Sequence, residues 1–351
     1  MICYYIAVSA QQMRSPQVNA PMRFGLIGTG RIGQVHASSV ARTEGATLTM
    51  VADVFVEGAK KTAEQYGGVA TAEAMDCLDP SKVDAVIVAS PTPTHLDLIS
   101  AAIDANIPIL CEKPIDLDIT RVDAMRDKAA KASIPIVLGF NRRFDPHFNS
   151  VHQRVQAGEI GKLEQLVLIS RDPAPASKEY LAVSGGIFRD MTIHDFDMGR
   201  FFVPNIVSVT ANGFNQFSSE IKELGDYDAT SVTLRGANDE LVLITNSRHA
   251  IYGFDQRMEA FGDKGMLRVE NLTNTNVRLY NEVSAEVKEP YQNFFLERYM
   301  DSYLLELAEF MKKVRGEASN SPEFEDGRAA LVLANAALES AQTGKTVPVS
   351  L

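Results

Sequence analysis

The chain has 351 residues, 45% hydrophobic and 23% charged, the composition of an ordinary soluble globular protein long enough for two domains. Its 34 Lys and Arg against 45 Asp and Glu leave a net charge of −11, which argues against the clustered cations that a nucleic-acid surface needs. The longest apolar runs, such as Val83 to Ala89, fall well short of the ~20 residues that span a bilayer, and Cys3, Cys77 and Cys111 show neither a disulfide framework nor zinc spacing, so no membrane span and a reducing cytoplasm are expected.

Residues 1–21 lack the basic start and long apolar core of a secretory signal and are expected to be an upstream extension or a disordered tail. From Met22 to about Phe140, short apolar runs at Phe24–Ile27, Thr47–Ala52, Ala85–Ala89, Ile107–Cys111 and Ile136–Phe140 have the character of strands buried on both faces. Helical patterns at 31–43, 57–66, 95–105 and 118–132 separate them, and repeated strand–helix–strand units predict a doubly wound parallel sheet. After a helical stretch from Pro146 to Ala157 the pattern changes. Strand-like runs follow at Leu163–Ser170, Val207–Phe214, Thr230–Leu234, Leu241–Ser247, Met258–Phe261, Met266–Val269 and Val277–Tyr280, joined by turns as an antiparallel meander requires. Two long helices, Tyr291 to Val314 and Asp326 to Gln342, are expected to close the chain, the last returning to the first domain.

Gly28-Thr-Gly30-Arg31-Ile32-Gly33 lies between the first strand and the first helix, and Asp53 ends the second strand 20 residues after Gly33. That arrangement suits a dinucleotide: pyrophosphate at a helix N-terminus and a carboxylate on the adenosine ribose, which also repels a 2′-phosphate and favours NAD over NADP. Two more loops follow strand ends, Ser90-Pro-Thr92-Pro-Thr-His95 and Glu112-Lys113-Pro114, where open α/β sheets bind ligands. Farther on, Asp190 and His194 stand four apart, close enough to meet across a first helical turn. Neutral imidazole is a suitable proton acceptor near neutrality, so a reaction that uses His194 as its base has a rate that increases with pH through or somewhat above pH 7. Of the other histidines, His36 is expected against the glycine loop, and His147, His152 and His249 show no partner pattern.

These motifs, with Asn141-Arg-Arg143-Phe-Asp145, Gly185-Gly-Ile-Phe-Arg-Asp190-Met-Thr-Ile-His194-Asp195 and Ser247-Arg-His-Ala-Ile-Tyr252-Gly-Phe-Asp255, resemble the Gfo/Idh/MocA oxidoreductase family. The resemblance implies a Rossmann domain at 22–143 and an α+β domain at 144–351 whose open, mainly antiparallel sheet serves substrate binding and assembly into a homo-oligomer, a tetramer. It implies NAD as cofactor, held by Gly28, Gly30, Arg31, Ile32, Gly33, Asp53, Ser90, Thr92, His95, Glu112 and Lys113, and no metal. Lys113, Asp190 and His194 form the implied catalytic set, with Asp190 orienting the substrate or the imidazole. Arg143, Asp172, Asp197 and Tyr252 are the expected contacts to a neutral polyol. The implied reaction is NAD-dependent oxidation of myo-inositol to the 2-keto product. Alternatives are another inositol isomer, a cyclic sugar, or a sugar-sensing relative without catalysis.

Overall fold

The computed structural model describes residues 20–351, so the tail expected at residues 1–21 lies almost wholly outside the described residues. Six parallel strands form the first sheet: β1 (Met22–Ile27), β2 (Ala46–Ala52), β3 (Val69–Thr71), β4 (Ala85–Val88), β5 (Ile109–Glu112) and β6 (Ile136–Gly139). Helices α1 (Arg31–Arg42), α2 (Val56–Tyr66), α3 (His95–Ala105) and α4 (Ile119–Ala130) alternate with them. The order β3-β2-β1-β4-β5-β6 is the doubly wound Rossmann order, with its ligand crevice where the order reverses, at β1 and β4. β4, β5 and β6 are buried at every position, which is why they read as unbroken apolar runs. β3 has three edge residues, none buried, and the sequence reading assigns no strand there.

The second half opens with α5 (Pro146–Gln156), started by Asp145, whose carboxylate accepts from the N–H groups of His147 and Phe148 while Pro146 fills the first helical position. Next come β7 (Leu163–Arg171), the short helices α6 (Lys178–Leu181) and α7 (Ile187–Asp190), α8 (Ile193–Phe202), β8 (Ile206–Phe214) and α9 (Ser219–Glu223). β9 (Ala229–Gly236), β10 (Leu241–Ser247), β11 (Asp255–Gly262) and β12 (Gly265–Val269) complete most of the second sheet. A separate small hairpin pairs β13 (Arg278–Leu279) with β14 (Val287–Lys288). Helices α10 (Phe295–Arg298), α11 (Met300–Val314) and α12 (Phe324–Thr343) precede β15 (Val347–Pro348), which returns to the edge of the second sheet beside β8.

That sheet has the order β12-β11-β7-β10-β9-β8-β15 and is mainly antiparallel, but it is not a simple meander. β7 and β10 run parallel, because the crossover through α6–α8 and the β8–β9 pair bring β10 back along β7 in the same direction. The long helix expected from Tyr291 begins later and breaks at Tyr299. The backbone N–H of Tyr291 donates to Tyr252 O, and that of Gln292 to Leu272 O, so this stretch pairs with loops instead of coiling.

The two closing helices are shared between the sheets. α11 lies on α1, placing Leu307, Phe310 and Met311 in one core with Phe24, Leu26 and Val40. α12 puts Ala330 and Leu331 into the core of β4–β6, and Leu333, Ala334 and Ala337 into that of the second sheet. Glu306 of α11 is fully buried, and neither of its carboxyl oxygens has a hydrogen-bond partner among the described residues. Burial, with the Glu112 charge adding to it, pushes its pKa well above the ordinary 4.5. The folded protein therefore keeps Glu306 neutral where the unfolded chain ionises it, and this group lowers stability as pH rises from the unfolded value toward the folded one. Glu306→Gln, neutral at every pH, should raise the thermal midpoint relative to wild type by more at pH 8 than at pH 5. An equal difference at both pH values in thermal unfolding would mean that Glu306 does not titrate in this window.

Candidate active site

At the C-terminal end of β1 the backbone is shaped for a diphosphate. Gly28 has φ +96°, and a Cβ there would lie 2.6 Å from the carbonyl of Ala89. A Cβ on Gly33 would lie 2.1 Å from Gly28 O, so the helix can sit on its own loop only with glycine there. Around Gly30 nothing lies within 4 Å of the corresponding position, and α1 begins without a capping side chain or an acidic residue in its first turn. Open space and free N–H groups at a helix N-terminus fit the anionic bridge of a dinucleotide. Arg31 lies over the Phe294 ring at 5.4 Å and Ile32 packs against the cores.

Asp53 follows β2, and its Oδ2 accepts from Thr29 N (2.8 Å) and Thr29 Oγ1 (2.7 Å) while Oδ1 accepts from Phe55 N. Partial burial opposes its ionisation, but the Thr29 hydroxyl and the two N–H groups outweigh it and hold the carboxyl below its usual range. A carboxylate is thus fixed at the rim of the glycine loop. Ser90 Oγ meets Thr94 Oγ1 at 2.6 Å, and Thr92 opens the short turn that leads into α3. His95 is buried, with Nδ1 2.8 Å from Pro114 O and Nε2 2.9 Å from Ser90 O, so its ring is wedged between the two loops. Glu112 accepts from Lys113 N at 3.2 Å and lies 2.8 Å from Nε2 of His36, which therefore has Glu112 and the Tyr303 ring as partners rather than the glycine loop.

Lys113 reaches across to the second half. Its Nζ donates to Asp190 O at 2.9 Å and lies 3.8 Å from Asp190 Oδ1. The Asp190 carboxylate has two further partners: Tyr180 OH donates to Oδ1 (2.7 Å) and Arg248 Nη1 to Oδ2 (3.1 Å). No hydrogen bond joins Asp190 to the His194 ring among the described residues, so the carboxylate holds the lysine and not the imidazole. His194 lies in the first turn of α8, edge-on to Phe140, with Nδ1 buried and unpartnered. Burial, then the Lys113 and Arg142 cations, lower its pKa well below 6.5, leaving a neutral ring at pH 7. Asp172 is pushed up to about 6, by burial first, with Arg248 opposing and Asp190 adding to the rise.

Beneath these groups the parallel strands β7 and β10 place Ser170 and Asn246 side by side in register. Both continue the inward phase of their strands, after Leu166 and Leu168 on one and Val242 and Ile244 on the other. Ser170 Oγ and Arg142 Nη1 both donate to Asp195 Oδ1, at 2.7 and 2.9 Å, and Asn246 Nδ2 donates to Asp195 Oδ2 at 2.8 Å. Two positions farther along the same strands stand Asp172 and Arg248. Tyr180, Arg248, Arg142, Asp195, Ser170 and Asn246 are site groups that sequence reasoning did not single out. For Ser170, Asn246 and Arg248 the available signal is the switch of each strand's inward phase from apolar to polar at its C-terminal end.

Three expected substrate contacts lie elsewhere. Arg143 Nε and Nη2 donate to Asp197 Oδ2 and Oδ1 at 2.8 and 2.5 Å, Asp326 lies 3.1 Å from Nη2, and the guanidinium stacks over Phe201. Both Arg143 and Asp197 are buried, so they form a structural ion pair joining α8 to the start of α12. Tyr252 OH donates to Asp255 Oδ2 (2.7 Å) and accepts from Arg171 Nη1 (2.8 Å), and Arg171 has the opposite strand phase to Ser170. Of the four, Asp172 alone joins the Lys113 cluster.

Residues 22–140 match the family model for the NAD-binding Rossmann fold of the GFO_IDH_MocA oxidoreductases, and residues 148–268 match the GFO/IDH/MocA C-terminal domain. The chain belongs to the Gfo/Idh/MocA oxidoreductase family. It is 41% identical to an inositol 2-dehydrogenase of Rhizobium meliloti, over 94% of this chain and 99% of that relative. A crystal structure of a myo-inositol dehydrogenase from Corynebacterium glutamicum superimposes with a TM-score of 0.90 at 55% identity, covering 94% of this chain and 99% of that one. The scyllo-inositol dehydrogenase of Lactobacillus casei, solved with NAD(H) and scyllo-inositol, matches with a TM-score of 0.86 at 28% identity, over 93% and 99% of the two chains.

The Asp53 carboxylate predicts cofactor choice. Val54 beside it is exposed and has room for a longer side chain. Asp53→Ser combined with Val54→Arg should shift the ratio of NADP to NAD affinity by roughly tenfold or more toward NADP, as one charge repulsion is removed and an attraction added. Fluorescence titration with both reduced cofactors checks this, and an unchanged ratio would show that Asp53 does not sit at the ribose.

Proposed function

We propose that the protein is an NAD-dependent polyol dehydrogenase that oxidises myo-inositol at its axial hydroxyl to the 2-keto inositol, 2-inosose. The observation that carries this reading is Lys113 bridging from the glycine-loop sheet to Asp190, four residues before a neutral, half-buried histidine. Residues 22–143 serve the cofactor, and residues 144–351 serve substrate binding and oligomerisation. In support of that division, β1–β6 share one sheet and β7–β12 with β15 another. NAD held at the glycine loop and Asp53 supplies the hydride acceptor.

The chain's own groups do the rest. His194, neutral at pH 7, takes the hydroxyl proton as the carbon–hydrogen bond is lost. The Lys113 ammonium stabilises negative charge developing on the same oxygen, and Asp190 keeps that ammonium in place while Tyr180 and Arg248 fix Asp190. Asp172, mostly ionised above pH 6, accepts a hydrogen bond from another ring hydroxyl. Presence of both Lys113 and His194 favours catalysis over a sugar sensor, which needs neither. The likeness to a scyllo-inositol dehydrogenase favours including stereoisomers in any substrate panel. A homo-oligomer, a tetramer by family resemblance, working in cytoplasmic inositol catabolism belongs to the same proposal. The exposed Val277, Leu279, Tyr280, Val283 and Val287 around the β13–β14 hairpin support an assembly surface.

Absorbance of the reduced cofactor with myo-inositol, scyllo-inositol, glucose and xylose tests the reading, with myo-inositol expected to give the highest kcat/KM. Inactivity on every polyol despite NAD binding would favour the sensor. His194→Ala should lose on the order of 10²–10⁴-fold in kcat. Because the His194 pKa lies well below 6.5, the acid limb expected near or above neutrality moves down. kcat/KM should be level from pH 7 to 9 and fall only below about 6, where Asp172 loses its charge, with protonation of His194 adding to the fall at lower pH. A limb centred above pH 7 would assign the proton to another group.

A further inference from the structure

We infer that Asn246 is the positioning residue for His194, gripping the start of α8 on both sides of the imidazole; this rests on the proposed dehydrogenase reading. Among the described residues His194 makes no side-chain hydrogen bond, and the Asp190 carboxylate is turned to Tyr180 and Arg248. The direction of the ring is therefore set by its backbone and by the edge-on Phe140. That backbone is tied at two points, Thr192 and Asp195, and one side chain holds both. Thr192 Oγ1 donates to Asn246 Oδ1 at 2.6 Å, and Asn246 Nδ2 donates to Asp195 Oδ2 at 2.8 Å.

The chemistry demands an amide. One end of the side chain must accept from a hydroxyl while the other donates to a carboxylate, and Asp195 Oδ1 is already taken by Arg142 and Ser170. Asn246 is 1% exposed, Thr192 and Asp195 are also buried, and water cannot substitute for a lost partner without new space. Register with Ser170 fixes the height of Asn246 along the sheet, so the grip is anchored in backbone pairing rather than in a loop. The surrounding charges are Arg142 from the turn before Asp145, Lys113 after β5, Asp190 and Asp195 on either side of His194, and Asp172 and Arg248 past the ends of β7 and β10. A displacement of the base by about 1 Å is enough to cost ~10²-fold in rate.

The test compares wild type with Asn246→Ala, Thr192→Val and Thr192→Ser, measuring kcat and KM with myo-inositol, NAD affinity and thermal midpoint. Asn246→Ala and Thr192→Val should lose roughly 10–100-fold in kcat with KM and NAD affinity within about threefold, whereas Thr192→Ser, which keeps the hydroxyl, should stay within about threefold in kcat. Asn246→Asp sets two carboxyls face to face, so its kcat relative to wild type should increase as pH falls from 8 to 6 and a proton comes to be shared between them. Full kcat in Thr192→Val, or equal losses in Thr192→Val and Thr192→Ser, would overturn the inference, and that pair decides it even where Asn246→Ala fails to fold. Wild-type inactivity on every polyol would sink the dehydrogenase reading instead. The grip is then read from the His194 imidazole Cε1 resonance, which should double or broaden in Thr192→Val and keep its wild-type form in Thr192→Ser; an unchanged resonance in Thr192→Val overturns it.

Discussion

Parallel pairing of β7 with β10 sets the geometry of everything the second half contributes to the site. In an otherwise antiparallel sheet, two neighbouring strands that end at the same edge deliver their last inward-facing residues together. Ser170 and Asn246 arrive at one level, Asp172 and Arg248 at the next. The first level receives Asp195 and the second faces Asp190, so the segment carrying His194 is held from below at both ends. Such a buried polar cluster is favourable only when its members are paired, because an orphaned charge inside a protein costs several kcal/mol. Asp195 meets that condition with three hydrogen bonds from Arg142, Ser170 and Asn246.

The first half meets this platform from the other side. Three loops leave the C-terminal ends of β1, β4 and β5, and the strand order brings them next to one another. His95 links the Ser90 and Pro114 loops, while Glu112 braces the Lys113 N–H with one oxygen and meets His36 with the other. Lys113 is thus supported from behind by its own sheet and received in front by Asp190 of the other half. A cation placed this way has little freedom to swing into solvent.

Most of the fold was legible because its strands are fully buried and its helices separate them at regular spacing. β3 escaped since an edge strand of three partly exposed residues carries no apolar run. The direction of β10 escaped for a different reason: alternation reports which face a side chain takes, not which way the neighbouring strand runs. Around Lys113 and His194 the motifs mark the segments that meet but not which member of a close pair stands in that cluster. Arg142 and Asp195 border the segment that carries His194, while Arg143 and Asp197, one and two residues away, close a structural ion pair. Choosing between them takes the twist of the turn at Asn141–Phe144 and the phase of α8, which tertiary contacts decide. Tyr180 sits in a segment without periodicity and left no trace in the pattern.

Helices α11 and α12 each contribute apolar side chains to a core that the first sheet builds, although they lie at the far end of the chain. Residues 322 and 323 also extend the edge of β6, with Leu138 N donating to Pro322 O and Val137 bridging Glu323. A ribosome must therefore have released α11 and α12 before the nucleotide-binding sheet can close its hydrophobic surface or cover its open edge. Until then that sheet presents Phe24, Leu26 and an unpaired strand to the cell, the kind of surface that invites association with other chains. Completion of the cofactor pocket thus waits on helices made some 160 residues or more after the last strand of its own sheet.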